Sequence, residues 1–452
     1  MPAKSLKSIG LSDLLGIYLL AVLVFFGETL AGDPGLGWHL RTGQWILEHL
    51  RIPAADPFLA SAGHARWICN QWLGDVILWL CYRAGGFALL HAFAAGLCIA
   101  VYVFALGPLL KHEVRSPLSV FLALFLCALL GKIQWFIRPV LFSFVLAALV
   151  YRAVYILYQA AAGCGMTNHR RRVFYGLPVL FALWANLHPA FSVGLGIILI
   201  AAIAAGLDGV FLRRENQAEL LRSAQRLFCL FVLCSGATLL NPYGWSLHHE
   251  IWSLLGSSYF MTLNREWFPP EWRNQAFWPF GFAGAAFVGL FAFCGRGALT
   301  IFEIISAAVF FVMSLLQRRY IPFFGIAAAL PFAKLIARSS LTSKTAPAGS
   351  RTRLLCMLRR ADSGLAALPA RASAWGYSFC FWLVIAAYGA CFSRLPFRSA
   401  EDSGFSRSFP HDAVQKMREN EAGTQGAVFN HPDWGGYDLD FLSVAACFYR
   451  RS

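Results

Sequence analysis

Eleven stretches of this chain are apolar over about the length that a helix needs to cross a bilayer, and that repetition constrains the fold more than any other feature. The hydrocarbon core of a membrane takes about 20 residues as helix. The stretches cover residues 14–31, 87–109, 117–131, 139–158, 175–185, 190–207, 227–240, 277–294, 300–316, 320–337 and 375–391. Inside lipid every backbone N–H and C=O must be satisfied within its own segment, so runs of this kind become helices. Two of them, 117–131 and 175–185, are short for a full crossing. The expectation is therefore an all-α polytopic membrane protein of about 11 transmembrane helices, within a range of 10–12. Segment 73–82 is apolar but too short to cross, and reads as an interfacial helix. Composition agrees, with 58% hydrophobic and 13% charged residues against about 45–50% and about 25% in an average soluble protein. A soluble enzyme, a disordered tail and a disulfide-rich secreted module are all excluded.

The net charge of +15 is gathered in clusters between the apolar runs. Arg170-Arg171-Arg172, Arg213-Arg214, Arg222 with Arg226, and Arg351, Arg353, Arg359 and Arg360 are spaced as the positive-inside rule leaves them in cytoplasmic loops. No nucleic-acid partner is implied by charge so distributed. With the N-terminus, Lys4 and Lys7 in the cytoplasm, alternation puts 33–71, 132–138, 186–189, 241–275, 317–319 and the tail after Cys391 on the outside. The first run has no small-residue cleavage site after it and reads as a retained span. The 12 cysteines include no C-x-x-C pair, so neither a zinc site nor a disulfide framework is indicated. Two parts result. Residues 1–393 form the transmembrane domain, with 32–71 as its first outer loop carrying interfacial helices. Residues 394–452 form a periplasmic α/β tail with an incomplete sheet, read as truncated or frame-shifted after Gly436.

The outer loops carry the chemistry-bearing residues. Asp33 follows the first span directly, where a carboxylate either caps a helix over 35–50 or serves as a general base beside a lipid-borne substrate. His39, Arg41 and Asp56 share its loop. Arg138, Asn186, His188, Glu266, Arg318 and Arg319 come from the other outer loops. Ionisable groups at span ends mark a substrate path when they face inward, and snorkel to the interface otherwise. Arginine forks suit a phosphate or pyrophosphate, so the set points to an anionic substrate. Asn186-Leu187-His188-Pro189 is irregular backbone near the membrane, where polar groups need partners.

Asp33-Pro34, Gly37-Trp38-His39-Leu40-Arg41-Thr42-Gly43, Ile52-Pro53 and Asp56-Pro57-Phe58 resemble the first periplasmic loop of a group of multi-pass bacterial membrane proteins. So do Arg138-Pro139, Asn186-Leu187-His188, Asn241-Pro242-Tyr243-Gly244, Glu266-Trp267 and Arg319-Tyr320-Ile321-Pro322. That group resembles the GT-C superfamily of glycosyltransferases, which take sugars from polyprenyl phosphates. The resemblance implies a glycosyltransferase in a bacterial cytoplasmic membrane, moving a sugar to a glycan, lipid or protein on the outer face. It also implies Asp33 as the base, with arginines such as Arg138 or Arg319 on the leaving phosphate. The chain departs from the pattern at Gly35, where a second acidic residue is expected, and again near Gln71. No cofactor is demanded, and a divalent cation stays possible if Asp56 or Glu266 completes a site. A secondary transporter or flippase for a lipid-linked or anionic substrate, and a non-catalytic membrane scaffold, are the alternatives. No Walker, dinucleotide or Ser-His-Asp signature occurs.

Overall fold

A computed structural model describes Leu30 and residues 35–58, 66–159, 167–212, 217–257 and 265–342. Asp33, the rest of run 14–31, run 375–391, the basic stretch from Arg351 and the tail 394–452 lie outside the described residues.

Twelve α-helices occur among the described residues: α1 (Leu36–His49), α2 (Trp72–Ala100), α3 (Gly107–Glu113), α4 (Pro117–Gly131), α5 (Val140–Gln159), α6 (Asn168–Leu187), α7 (Phe191–Leu207), α8 (Gln217–Ala237), α9 (Trp245–Gly256), α10 (Trp278–Cys294), α11 (Ile301–Leu316) and α12 (Ile321–Thr342). Each of the nine apolar runs that fall largely within the described residues lies in one of these helices or in the joined pair α2–α3. Seven helical segments there are long and apolar enough to cross a membrane, which is fewer than the eleven expected. Two runs fall outside the described residues, α11 has only 16 residues, and α6 opens on Arg170-Arg171-Arg172, which shortens its apolar part. The described residues contain no strand beyond an isolated bridge between Ala55 and Arg66.

Local sequence explains several helix ends. Ser116 caps α4 by accepting from Ser119 N–H, with Pro117 at its first position. Thr300 and Glu303 form a reciprocal capping box on α11. The segment from Trp72 runs through α2, a π-helical stretch Val101–Leu106 and α3, but it is broken at Gly85 and Gly86. Gly86 has φ +61° and ψ −157°, a conformation open to glycine and strained for other residues. The glycine pair thus divides the interfacial helix expected at 73–82 from the long apolar run that follows it. The helix at the start of the first outer loop is longer than its periodic part, beginning at Leu36.

Helices in lipid associate through close packing rather than through exclusion of water, so small residues sit where backbones approach. At Gly43 an added Cβ would lie 2.2 Å from the carbonyl oxygen of Asp75, which sets α1 directly on the first turn of α2. At Gly74 it would lie 2.8 Å from both the Leu187 carbonyl and Pro139, joining α2 to the end of α6 and the start of α5. The core centres on α12, where Phe323, Phe324, Ala327, Ala328 and Leu330 are buried. It packs on α4, α11, α10 and α5. Cys127 Sγ donates to the Gly325 carbonyl at 2.8 Å across the α4–α12 contact.

Polar contacts form two separate sets. One joins the loops expected outside: Arg138 with Glu266, Arg318 with Glu271, Trp72 with Asn186, and Cys69 with Tyr243. The other joins the ends expected inside. There Lys334 Nζ lies 2.6 Å from Glu303 Oε1 and donates to Tyr155 Oη at 2.9 Å, while Tyr155 donates to Glu113 Oε2 at 2.8 Å. Glu303 Oε2 accepts from the N–H and O–H of Thr300, and Tyr158 hydrogen-bonds Asp208.

Candidate functional site

The first loop expected outside contributes α1, and α1 contributes His39. Its ring Nδ1 lies 2.8 Å from Asp75 Oδ1, and Asp75 is only 1% exposed. A carboxylate so placed accepts the Nδ1–H and fixes the ring's orientation. Asp75 was not among the expected site residues. The expected acid lies near Gln71, and Asp75 stands one helical turn beyond that residue. A lone carboxylate in the apolar run Trp72-Leu73-Gly74-Asp75-Val76-Ile77-Leu78-Trp79 was the available signal, since such a residue needs a buried partner. Cys69 Sγ is 4.0 Å from the second carboxylate oxygen. Burial, and then the Asp75 charge, push the Cys69 thiol well up, so it remains a neutral thiol rather than a nucleophile.

Arg41 is two residues from His39 and therefore about 200° around the helix, on a different face. Its Nε is buried with no partner among the described residues. Asp56 ends the same loop in an Asx turn, accepting from Phe58 N–H at 2.8 Å. Phe58 and Trp67 both meet Trp38 edge to face, with centroids 5.2 and 5.5 Å away. Asp56 thus helps shape the loop against α1.

Asn186 is spent on architecture. Its Oδ1 accepts from Trp72 Nε1 at 3.0 Å, and its Nδ2 donates to the carbonyls of Ala182 and Leu240. His188 follows where α6 ends and Pro189 stops the helix. Its Nδ1 faces Ser143 Oγ at 3.0 Å and accepts the Ala190 N–H at 3.2 Å. Ser143 in turn accepts from Trp184 Nε1 at 2.8 Å. His188 lies outside the candidate spans. Burial, followed by the charges of Arg319, His39 and Arg138, pushes its imidazole down to about 3. Those three charges act on one ring, so residues 39, 138, 188 and 319, drawn from four segments expected outside, share one electrostatic neighbourhood.

The arginines differ in how far they are committed. Arg138 pairs with Glu266, 128 positions away, and its guanidinium also lies 5.6 Å from the Phe136 ring. Arg318 reaches the exposed Glu271 at 3.4 Å and lies over Phe277. Arg319 stacks on Trp267 at 4.3 Å and makes no ion pair with a described carboxylate. An arginine held by an aromatic face keeps its donors and its charge for an anion. Among the described residues, no three His, Cys, Asp or Glu side chains converge as a metal site. Glu266 pairs with Arg138, and Asp56 accepts within its own turn.

No protein-family model and no curated protein sequence matches the chain. Solved structures do share its fold. The chain is similar to the Archaeoglobus fulgidus oligosaccharyltransferase tethered to an acceptor peptide containing the NVT sequon, with TM-score 0.54 and 16% identity over 97% of this chain and 59% of that one. It is also similar to the oligosaccharyltransferase AglB of the same organism in complex with an inhibitory peptide and a dolichol-phosphate, with TM-score 0.52 and 15% identity over 96% and 59%. The apo form aligns with TM-score 0.54 and 14% identity over 97% and 64%. The chain thus spans about three-fifths of the length of these enzymes. At such identity the likeness concerns the fold alone.

Proposed function

We propose that this protein is a GT-C-type glycosyltransferase that moves a sugar from a polyprenyl-phosphate donor to an acceptor at the outer face of a bacterial cytoplasmic membrane. What most supports the proposal is the electrostatic influence of Arg319, His39 and Arg138 on His188, all from segments expected outside, on a fold shared with oligosaccharyltransferases. In the neighbouring structures the bound partners are an acceptor peptide and a dolichol-phosphate. A lipid phosphate on a similar scaffold would need cationic donors at this end. Arg319 suits that task best, because Trp267 holds it and no described carboxylate neutralises it. Arg138 would act together with Glu266, as a pair able to reorganise when an anion arrives. His39 and His188 would complete the polar surface around the donor headgroup, with Arg41, Asp56, Asn186 and Arg318 shaping its surroundings.

The reaction joins the acceptor's nucleophilic atom to the sugar's anomeric carbon and breaks the bond from that carbon to the phosphate oxygen. The acceptor proton goes to Asp33 in this reading, while the phosphate keeps the bonding electrons and is held by Arg319. The glycan, lipid or protein nature of the acceptor is left open by this scheme. The flippase alternative gains no particular observation, since the interruption at 186–189 is a junction between α6 and α7 rather than a break within one span.

Transfer of radiolabelled sugar from polyprenyl-phosphate hexoses in membranes containing the full chain tests the proposal. Asp33→Asn keeps size and capping ability but cannot take a proton at neutral pH. The expected loss is about 10²–10⁴-fold with insertion unchanged. Near wild-type transfer by Asp33→Asn would remove Asp33 as the base. Wild-type membranes that turn over none of the donors would defeat the glycosyltransferase reading itself.

A further inference from the structure

The histidine at the α6–α7 junction has its tautomer dictated by its neighbours. A backbone N–H can only donate, so the Ala190 amide at 3.2 Å makes His188 Nδ1 a lone pair. The second neighbour agrees through a longer chain of logic. An indole N–H also can only donate, and Trp184 Nε1 gives its proton to Ser143 Oγ at 2.8 Å. The Ser143 hydroxyl proton is then left for His188 Nδ1, at 3.0 Å. Both partners meet Nδ1 as an acceptor, and the ring's one proton sits on Nε2. Doubly protonating the ring would turn two donors against a third, and the charges of Arg319, His39 and Arg138 oppose it as well.

Burial of this relay keeps it in place. Ser143 and Trp184 are both fully buried. The hydroxyl is fixed from two sides, and the indole would be left without an acceptor if it moved. Nε2 has no hydrogen-bond partner among the described residues. A neutral donor of fixed direction is therefore set among cations, which is an arrangement suited to an anion: it adds a hydrogen bond without adding to the cationic repulsion. His39 presents the reverse arrangement, with its Nδ1 against the carboxylate of Asp75.

We propose that His188 donates its Nε2–H to an anionic phosphate oxygen of the donor, and that Ser143 and Trp184 are positioning residues that hold it in that tautomer. The proposal rests on the glycosyltransferase reading for the identity of the phosphate. The competing reading is architectural: His188 serves only to accept the Ala190 and Ser143 protons and so to shape the junction. Two substitutions separate the readings. Gln places an amide N–H near the position of Nε2 but gives up the acceptor at Nδ1, whereas Asn keeps an acceptor near Nδ1 and gives up the distal donor.

The experiment measures binding of a fluorescent polyprenyl monophosphate to the full chain in detergent, with inorganic phosphate and phosphatidylglycerol as competitors. The expected result is that His188→Asn weakens binding by about tenfold or more, the scale of one hydrogen bond to a charged group, while His188→Gln stays within about threefold of wild type. Ser143→Ala should fall between them. Retained binding in His188→Asn with loss in His188→Gln would overturn the donor role, as would equal binding in all three. If inorganic phosphate binds with the same Gln–Asn contrast but the polyprenyl phosphate does not bind, the phosphate-donor role stands and the lipid-linked reading falls. If phosphatidylglycerol alone competes, the site is a bilayer-lipid contact and both fall; if no phosphate binds, both fall as well. The tautomer is read independently in chain labelled with ¹⁵N-histidine, using His188→Gln to assign the signals. A protonated Nε2 with bare Nδ1 is expected, and the opposite pattern overturns the proposal.

Discussion

His188 should make the folded protein acid-sensitive, and the size of the effect follows from its surroundings. An imidazole in the unfolded chain takes up its proton near 6.5, whereas in the folded protein burial and the nearby cations hold it off until about 3. Between those values the unfolded state binds more protons, so stability increases with pH in that window and is lost as pH falls through it. Each pH unit of difference is worth about 1.4 kcal/mol, so the contribution is nearly complete above 6.5 and about 2 kcal/mol of it is gone at pH 5. For a chain of this size that loss corresponds to a lowering of Tm by about 2 °C. His188→Asn removes the titrating group and keeps an acceptor for Ala190 and Ser143, so it should lack this part of the acid response. Thermal unfolding of both proteins in detergent, followed by tryptophan fluorescence at pH 7.5 and pH 5, checks it. All other histidines contribute equally to the two proteins, so the comparison isolates residue 188. Equal Tm drops in wild type and variant, within about 1 °C, would refute the inference that the ring is held neutral.

Arg319→Ala should raise the donor KM by about tenfold, through loss of a charge-assisted contact, and leave kcat far less affected; steady-state transfer assays separate the two. At the opposite end of the bundle, Lys334→Met leaves the fully buried Glu303 without its cation and should cost about 3–5 kcal/mol, seen as a lowered thermal midpoint. Adding Glu303→Gln to that variant should recover most of the loss. Cysteine-accessibility labelling in intact cells should find position 45 exposed to the periplasm and position 171 protected, and labelling of both from one side would overturn the topology.

Much of the helical layout was legible in sequence, because in a bilayer the length of an apolar run reports directly on the local backbone requirement. α4 begins and ends where run 117–131 does, and the start of α5 lies one residue from the start of its run. The glycine pair at 85–86 likewise divides α2 between a short apolar segment and a long one. The site residues were legible only as a set of types in loops expected on one side of the membrane, since loop charge alternates with the spans.

Their partners were not legible, because pairing depends on which helices touch. Asp75 looked like the single charge in a short apolar helix, and only the contact at Gly43 brings α1 and His39 onto it. Asn186 read as a substrate ligand, yet the packing of α6 beside Trp72 and Leu240 consumes its amide. Ser143 and Trp184 carried no signal at all, being an ordinary serine and tryptophan inside apolar helices until tertiary contact set them beside His188. Hydropathy, which acts residue by residue, determined where helices form. Close packing between segments far apart in the chain decided which arginine stays uncommitted, which histidine accepts and which one donates, since burial leaves each polar group only the partners that its neighbours supply.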